Sequence, residues 1–134
     1  MNSLPTDIVT VLFEQKHLFS ELVHASDATL DAFSFGVIGF DTDTVVRRYN
    51  MFESSMAGLQ NSKVVGYPLF TLVAPCMNNF LIAQRFEDAA AAGDELDDVI
   101  DYVLTLRMRP IKVKLRLLAG TASNLRYVLI KRPI

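Results

Sequence analysis

Apolar residues between positions 5 and 31 recur at three- and four-residue intervals. Ile8, Val11, Leu12, Leu18, Phe19 and Leu22 share a face, which predicts a helical N-terminal segment. Thr6 or Asp7 is placed to cap its start, with Pro5 just outside, and Ser26-Asp27-Ala28 reads as a break. The pattern then changes. Residues 33–40 predict a strand, the polar run Asp41-Thr42-Asp43-Thr44 a turn, and residues 45–49 the returning strand. From Asn50 to Pro75 the signals are short, with Gly58, Gly66 and Pro68 as punctuation. Helical turns are expected near 51–57, 61–65 and 70–74. The longest helix is expected over about 77–92, where Phe80, Ala83, Phe86 and Ala90 share a face and Gly93 stops it.

An acidic hinge, Asp94-Glu95-Leu96-Asp97-Asp98, precedes a second β section. There Ile100, Tyr102, Leu104, Leu106 and Met108 alternate with Asp101, Thr105, Arg107 and Arg109. After Pro110, Ile111, Val113, Leu115 and Leu117 alternate with Lys112, Lys114 and Arg116; a turn at 120–124 leads to a last strand at 125–131. Five antiparallel strands with helices over one face make an α+β layout. Residues 1–32 read as a helical N-terminal cap and 33–134 as the folded unit it covers.

At 134 residues, 51% hydrophobic and 21% charged, the chain has the balance of one globular domain. No apolar run approaches the ~18 residues of a membrane span, and residues 1–7 lack the pattern of a secretory signal. With one cysteine, these features give the expectation of a cytoplasmic protein that does not bind a membrane. The charge is lopsided. Eight basic residues and no acidic one lie between Tyr102 and Ile134. Such a run can mark nucleic-acid binding, but here the charges alternate with apolar residues. A solvated sheet face, or one covered by an acidic segment of the same chain, is therefore the reading, with no nucleic acid as partner.

The lone thiol, Cys76, closes the run Val73-Ala74-Pro75-Cys76. A single cysteine makes no internal disulfide, which leaves packing, redox chemistry or covalent attachment of a ligand. His17 and His24 sit seven apart on the predicted helix, about 10.5 Å along its axis, too far to share a metal. Nothing places either histidine beside Cys76. No phosphate loop, zinc spacing or two-carboxylate pattern is present, so an enzyme is not the expectation.

The ordered set Phe35-Gly36, Asp41-x-Asp43, Tyr49-Asn50-x-x-Glu53, Val65-Gly66, Phe70 and Ala74-Pro75-Cys76 resembles the photoactive yellow protein family, a blue-light-sensing branch of the PAS fold. Met108-x-Pro110-x-Lys112-Val113-Lys114 and Lys131-Arg132 extend the match, which runs from Phe33 to Arg132. The resemblance implies a five-stranded antiparallel sheet with helices on one face and the N-terminal cap. It implies p-coumaric (4-hydroxycinnamic) acid thioester-linked to Cys76, with Tyr49 and Glu53 donating hydrogen bonds to its phenolate oxygen. Light would isomerise the double bond, Glu53 would give up its proton, and partial unfolding would signal to a downstream protein. Met108 matches a residue that assists thermal recovery in the family. A homodimer is a further expectation.

Several residues depart from the family pattern. Ala57 stands where a threonine usually supports the tyrosine, and Leu59 where an arginine commonly shields the chromophore. Met51 and Phe52 replace two small residues and are expected to crowd the pocket. Arg47 replaces an apolar residue two positions before Tyr49, and Thr44 a glycine. These departures keep a second reading open, a non-photoactive PAS module that binds another small ligand or a protein partner.

Overall fold

The computed structural model describes residues 11–105 and 109–133. The expected cap at Thr6 or Asp7, with Pro5 and Ile8, lies outside those residues, and so does Met108. Strands β1 (Gly36–Phe40), β2 (Val46–Tyr49), β3 (Leu96–Leu104), β4 (Ile111–Ala119) and β5 (Arg126–Lys131) form one antiparallel sheet in the order β2-β1-β5-β4-β3. β1 is buried along its whole length, so its sequence is a continuous apolar run without alternation.

Each face of the sheet carries its own core. On one, Ile38, Phe40, Leu115, Leu117, Val128 and Ile130 pack with Phe70, Met77 and Phe86. These come from the segment that holds helices α3 (Met51–Ala57) and α4 (Ala83–Ala92) and the short turns between them. On the other, Val37, Leu118, Tyr127 and Leu129 meet Phe13, Leu18, Leu22 and Leu30.

The N-terminal segment departs from the predicted single helix. Residues 11–17 form turns, followed by α1 (Leu18–His24) and α2 (Asp27–Asp31). His17 enters α1 with a left-handed φ of 60°, which breaks the periodicity, so Leu12 is exposed and Phe13 is buried in its place. Ser26 lies at the expected break and caps α2, its hydroxyl accepting from the Thr29 N–H at 3.1 Å.

The long helix also starts later than predicted, at Ala83. The Asn79 side-chain oxygen accepts from the Leu81 and Ile82 N–H groups, which holds residues 79–82 out of the helix and leaves Phe80 76% exposed. Gly93 ends α4 at a φ of 70°. From Leu96 onward the acidic hinge is already strand. β3 pairs with β4 from Leu96↔Ala119 to Leu104↔Ile111, and Asp97 and Asp98 are held there by Arg116 and Arg85.

The basic C-terminal part meets acids from earlier in the chain: Lys114 with Asp101, Arg116 with Asp97, Lys131 with Glu14 and Arg132 with Glu53. Two guanidinium groups also tie the N-terminal segment to the sheet. Arg48 donates to the carbonyls of Leu22 at 2.8 Å and Ala25 at 2.5 Å, and Arg116 to those of Phe13 at 2.9 Å and Gln15 at 2.7 Å. Among the described residues, no helix is long and apolar enough to cross a membrane.

Candidate functional site

Asn50 follows β2 and caps α3 with extended backbone, φ −82° and ψ 166°. Its side-chain oxygen accepts from the N–H groups of Glu53 at 3.1 Å and Val37 at 2.9 Å; its amide donates to the carbonyls of Leu30 and Phe35, each at 2.9 Å. The whole amide is therefore satisfied while fully buried. Asn-x-x-Glu is the sequence form of a capping box, in which the glutamate would reach back to the cap residue's N–H. Here the Asn50 N–H donates to the Val37 carbonyl instead, so the Glu53 side chain is free to turn inward. It lies over Gly36, where an added Cβ would come within 2.1 Å of Glu53 Oε1.

Both Glu53 oxygens accept from Arg132: Nη1 to Oε1 at 2.6 Å and Nη2 to Oε2 at 3.0 Å. The side chains are 1% and 5% exposed respectively. Burial pushes the Glu53 pKa above its ordinary value, against the lowering effect of the guanidinium. Tyr49 is buried nearby. Burial raises its phenol pKa strongly, with the Glu53 charge adding to the rise and Arg132 opposing it. Among the described residues, the buried Arg132 Nε has no hydrogen-bond partner. A buried cationic donor without an acceptor suits an anionic ligand oxygen.

Cys76 is half-buried in a single 3-10 turn, Pro75–Met77, and packs against the same core cluster that contains Tyr49. Its carbonyl accepts from the Tyr102 hydroxyl at 2.5 Å, and that hydroxyl accepts from the Asn79 amide at 2.6 Å. A cavity of about 850 Å³ is lined by Asn79, Tyr102, Val113 and Arg132, among others, within the usual size range of small-molecule sites. Cys76 and Glu53 each sit one contact behind its wall, Cys76 through Tyr102 and Asn79, Glu53 through Arg132.

The departing residues resolve individually. Met51 is 61% exposed, so it does not crowd the pocket: as the first residue of α3 it faces solvent, its N–H held by Asp31. Phe52 is half-buried. Ala57 is buried, and it brings no hydroxyl to Tyr49; Leu59 packs against the core beside the site. Arg47 is turned to Asp41, with its Nε 2.7 Å from the carboxylate, so it adds no charge at Tyr49. Thr44 takes the left-handed φ of 63° that a glycine would adopt without strain. His17 and His24 are exposed in the N-terminal segment.

Sequence reasoning missed Arg132, Tyr102 and the positioning role of Asn50. The Asn-x-x-Glu spacing was a signal for Asn50. Arg132 had none, because its partner lies 79 positions away.

Comparison with known proteins agrees with this fold. No family model matches the chain. It is 30% identical over 122 residues to the photoactive yellow protein of Halochromatium salexigens, an alignment that covers 91% of this chain and 97% of that protein. Among solved structures, it superposes on the photoactive yellow protein domain of the sensor histidine kinase Ppr from Rhodospirillum centenum. The TM-score is 0.77 at 30% identity, over 84% of this chain and 98% of that domain. The PAS domain of the quorum-sensing receptor RpfR from Cronobacter turicensis shares the fold at 14% identity, with a TM-score of 0.59 over 75% of this chain and 95% of that domain. With its PAS sheet, its ordered motifs and this similarity along nearly its whole length, the chain belongs to the photoactive yellow protein family.

Proposed function

We propose that the chain is a blue-light photoreceptor that holds p-coumaric acid as a thioester on Cys76, with Tyr49 and Glu53 at its phenolate oxygen. The observation that carries this reading is the buried Arg132 Nε, unpartnered among the described residues, beside the buried Glu53 and Tyr49. Together with the half-buried thiol, they fit a ligand with an electrophilic carbonyl at one end and an anionic oxygen at the other. The bound group supplies a double bond that isomerises on absorbing light.

The chain's own residues do the rest. Burial favours the neutral hydroxyl of Tyr49, which keeps it a donor. It also favours a protonated Glu53, the form able to donate to the phenolate and to release a proton. A carboxylate at that depth that loses a partner costs several kcal/mol, a large part of the ~5–15 kcal/mol that holds a domain together. The N-terminal segment, held by its own core cluster and by the Arg48 and Arg116 contacts, is the part such a cost would release. A downstream signalling protein or a second copy of the chain would read that release. Met108 remains a candidate for assisting the thermal return.

Mixing the ligand-free protein with an activated p-coumaric acid derivative tests the reading. It requires an acyl mass on Cys76 and a visible absorption band; absence of both would sink it. One observation favours the second reading, a PAS module without photochemistry. Both Glu53 oxygens are already committed to Arg132, as in a site whose polar end is filled by side chains. The same loading experiment separates the two.

A further inference from the structure

Resting on the photoreceptor reading, we propose that Arg132 is itself a chromophore-binding residue. Its two Nη groups hold Glu53 in the ligand-free chain, and its Nε–H serves the anionic end of the ligand. It thereby supplies from the end of β5 the cation that Leu59 does not bring.

The position of Arg132 is set by the sheet. Side chains two apart on a strand share a face. Arg132 lies two residues beyond Ile130, which belongs to the core under α3 and α4, while Lys131 between them is paired with Lys114 of β4. The guanidinium is thus delivered to the side of the sheet that holds Tyr49 and Cys76. Two of its nitrogens are used by Glu53, and the third, Nε, is buried without a partner among the described residues. A cationic donor in that state lacks an acceptor, and an anionic oxygen provides one with charge assistance. Arg132 also lines the cavity that reaches Tyr102 and Asn79, the two side chains that clasp the Cys76 carbonyl.

The surrounding charges leave this role to Arg132. Among the described residues, Glu53 of α3 and Tyr49 of β2 are the titratable groups that face it in the interior. The other charged residues around the cavity, Asp101, Lys112, Lys114 and Lys131, are exposed; Lys114 is bonded to Asp101 and Lys131 to Glu14. The second buried guanidinium, Arg116, is committed to Asp97 and to the N-terminal segment on the opposite face.

The test compares the full chain with Arg132→Gln, Glu53→Gln and the double variant. In the ligand-free state, infrared spectra are expected to show Glu53 staying protonated to a higher pH in Arg132→Gln than in the parent chain. After loading with p-coumaric acid, the visible band is titrated with acid. Glu53 is neutralised in both Glu53→Gln and the double variant, so their difference reports Arg132 acting on the ligand directly. Loss of the guanidinium should move half-loss of the band upward by about one pH unit, tenfold in proton concentration. Coincident titrations in that pair overturn the proposal while leaving the photoreceptor reading intact. Failure of the parent chain to load overturns both. Loss of loading confined to the Arg132→Gln chains, with ligand-free melting unchanged, supports it. If Arg132→Gln alone does not fold, the double variant, which buries no charge at the pair, still provides the comparison.

Discussion

The side chain of Asn50 accepts the backbone N–H of Glu53 at 3.1 Å, and the same oxygen takes the Val37 N–H at 2.9 Å. One buried amide thus fixes the start of α3 against β1 and sets the depth at which Glu53 enters the core. Asn50→Ala removes this cap and leaves the buried Leu30 and Phe35 carbonyls without their donor. Caps contribute about 1 kcal/mol, and each stranded buried group costs about 1–3 kcal/mol. A loss on the order of 3 kcal/mol in denaturant unfolding is expected, and a loss below about 1 kcal/mol would contradict the role.

Much of this arrangement was legible in the chain. The period-two runs located β3 and β4, because half-buried strands alternate. The spacing Tyr49-x-x-x-Glu53 and the run ending in Cys76 named a tyrosine and a cysteine that pack on one core cluster and a glutamate that is buried. What could not be read depends on groups distant in sequence or on an unusual backbone. The Glu53–Arg132 pair joins the two ends of the domain, and nothing local to Arg132 announces it. His17 gave no sign of the left-handed turn that splits the predicted N-terminal helix, since that conformation usually goes to glycine. Asn79 holds the chain short of α4 through two side-chain bonds that an apolar pattern does not register.

Stability should depend on pH in two separate windows. Burial raises the folded-state pKa of Glu53 above its ordinary 4.5, so the folded chain binds that proton more tightly than the unfolded chain. Its contribution is full below pH 4.5 and is lost as pH rises through the folded-state pKa. Asp41 behaves in the opposite sense. The Arg47 hydrogen bond, helped by the Val45 and Asp43 N–H groups, holds its pKa below 3.8; its contribution is present above 3.8 and is lost as pH falls further. Melting temperatures of the ligand-free chain should therefore decline from pH 4.5 toward neutrality, and Glu53→Gln should flatten that decline. An identical slope in the variant would show that Glu53 is not the group responsible.

Thr44 holds a φ of 63° in the turn that Asp41 organises. A left-handed residue with a Cβ costs about 1–2 kcal/mol, while glycine adds back roughly 0.5–1 kcal/mol through the freedom of the unfolded chain. Thr44→Gly should stabilise the protein by about 0.5–1 kcal/mol, read as a raised melting temperature. A lowered one would mean that the threonine makes a compensating contact.

Arg116 is 5% exposed and joins β4 to the carbonyls of Phe13 and Gln15. Hydrogen bonds from a buried charged donor contribute about 1.5–3 kcal/mol each, more than the exposed Lys131–Glu14 pair, at about 0–1 kcal/mol. Arg116→Met should loosen the N-terminal segment first. Limited proteolysis is expected to cut faster within residues 11–17, with the interior amides of β4 and β5 still protected from exchange. Equal cleavage rates in the two chains would place the restraint elsewhere.

The most direct measurement is the absorption of the chain loaded with p-coumaric acid, recorded in the dark, under blue light and after return to darkness. A light receptor built on Cys76, Tyr49 and Glu53 shows a visible band that bleaches under illumination and recovers in the dark. That recovery should change when Glu53 is replaced by Gln. A loaded protein whose visible band is indifferent to blue light would contradict the account.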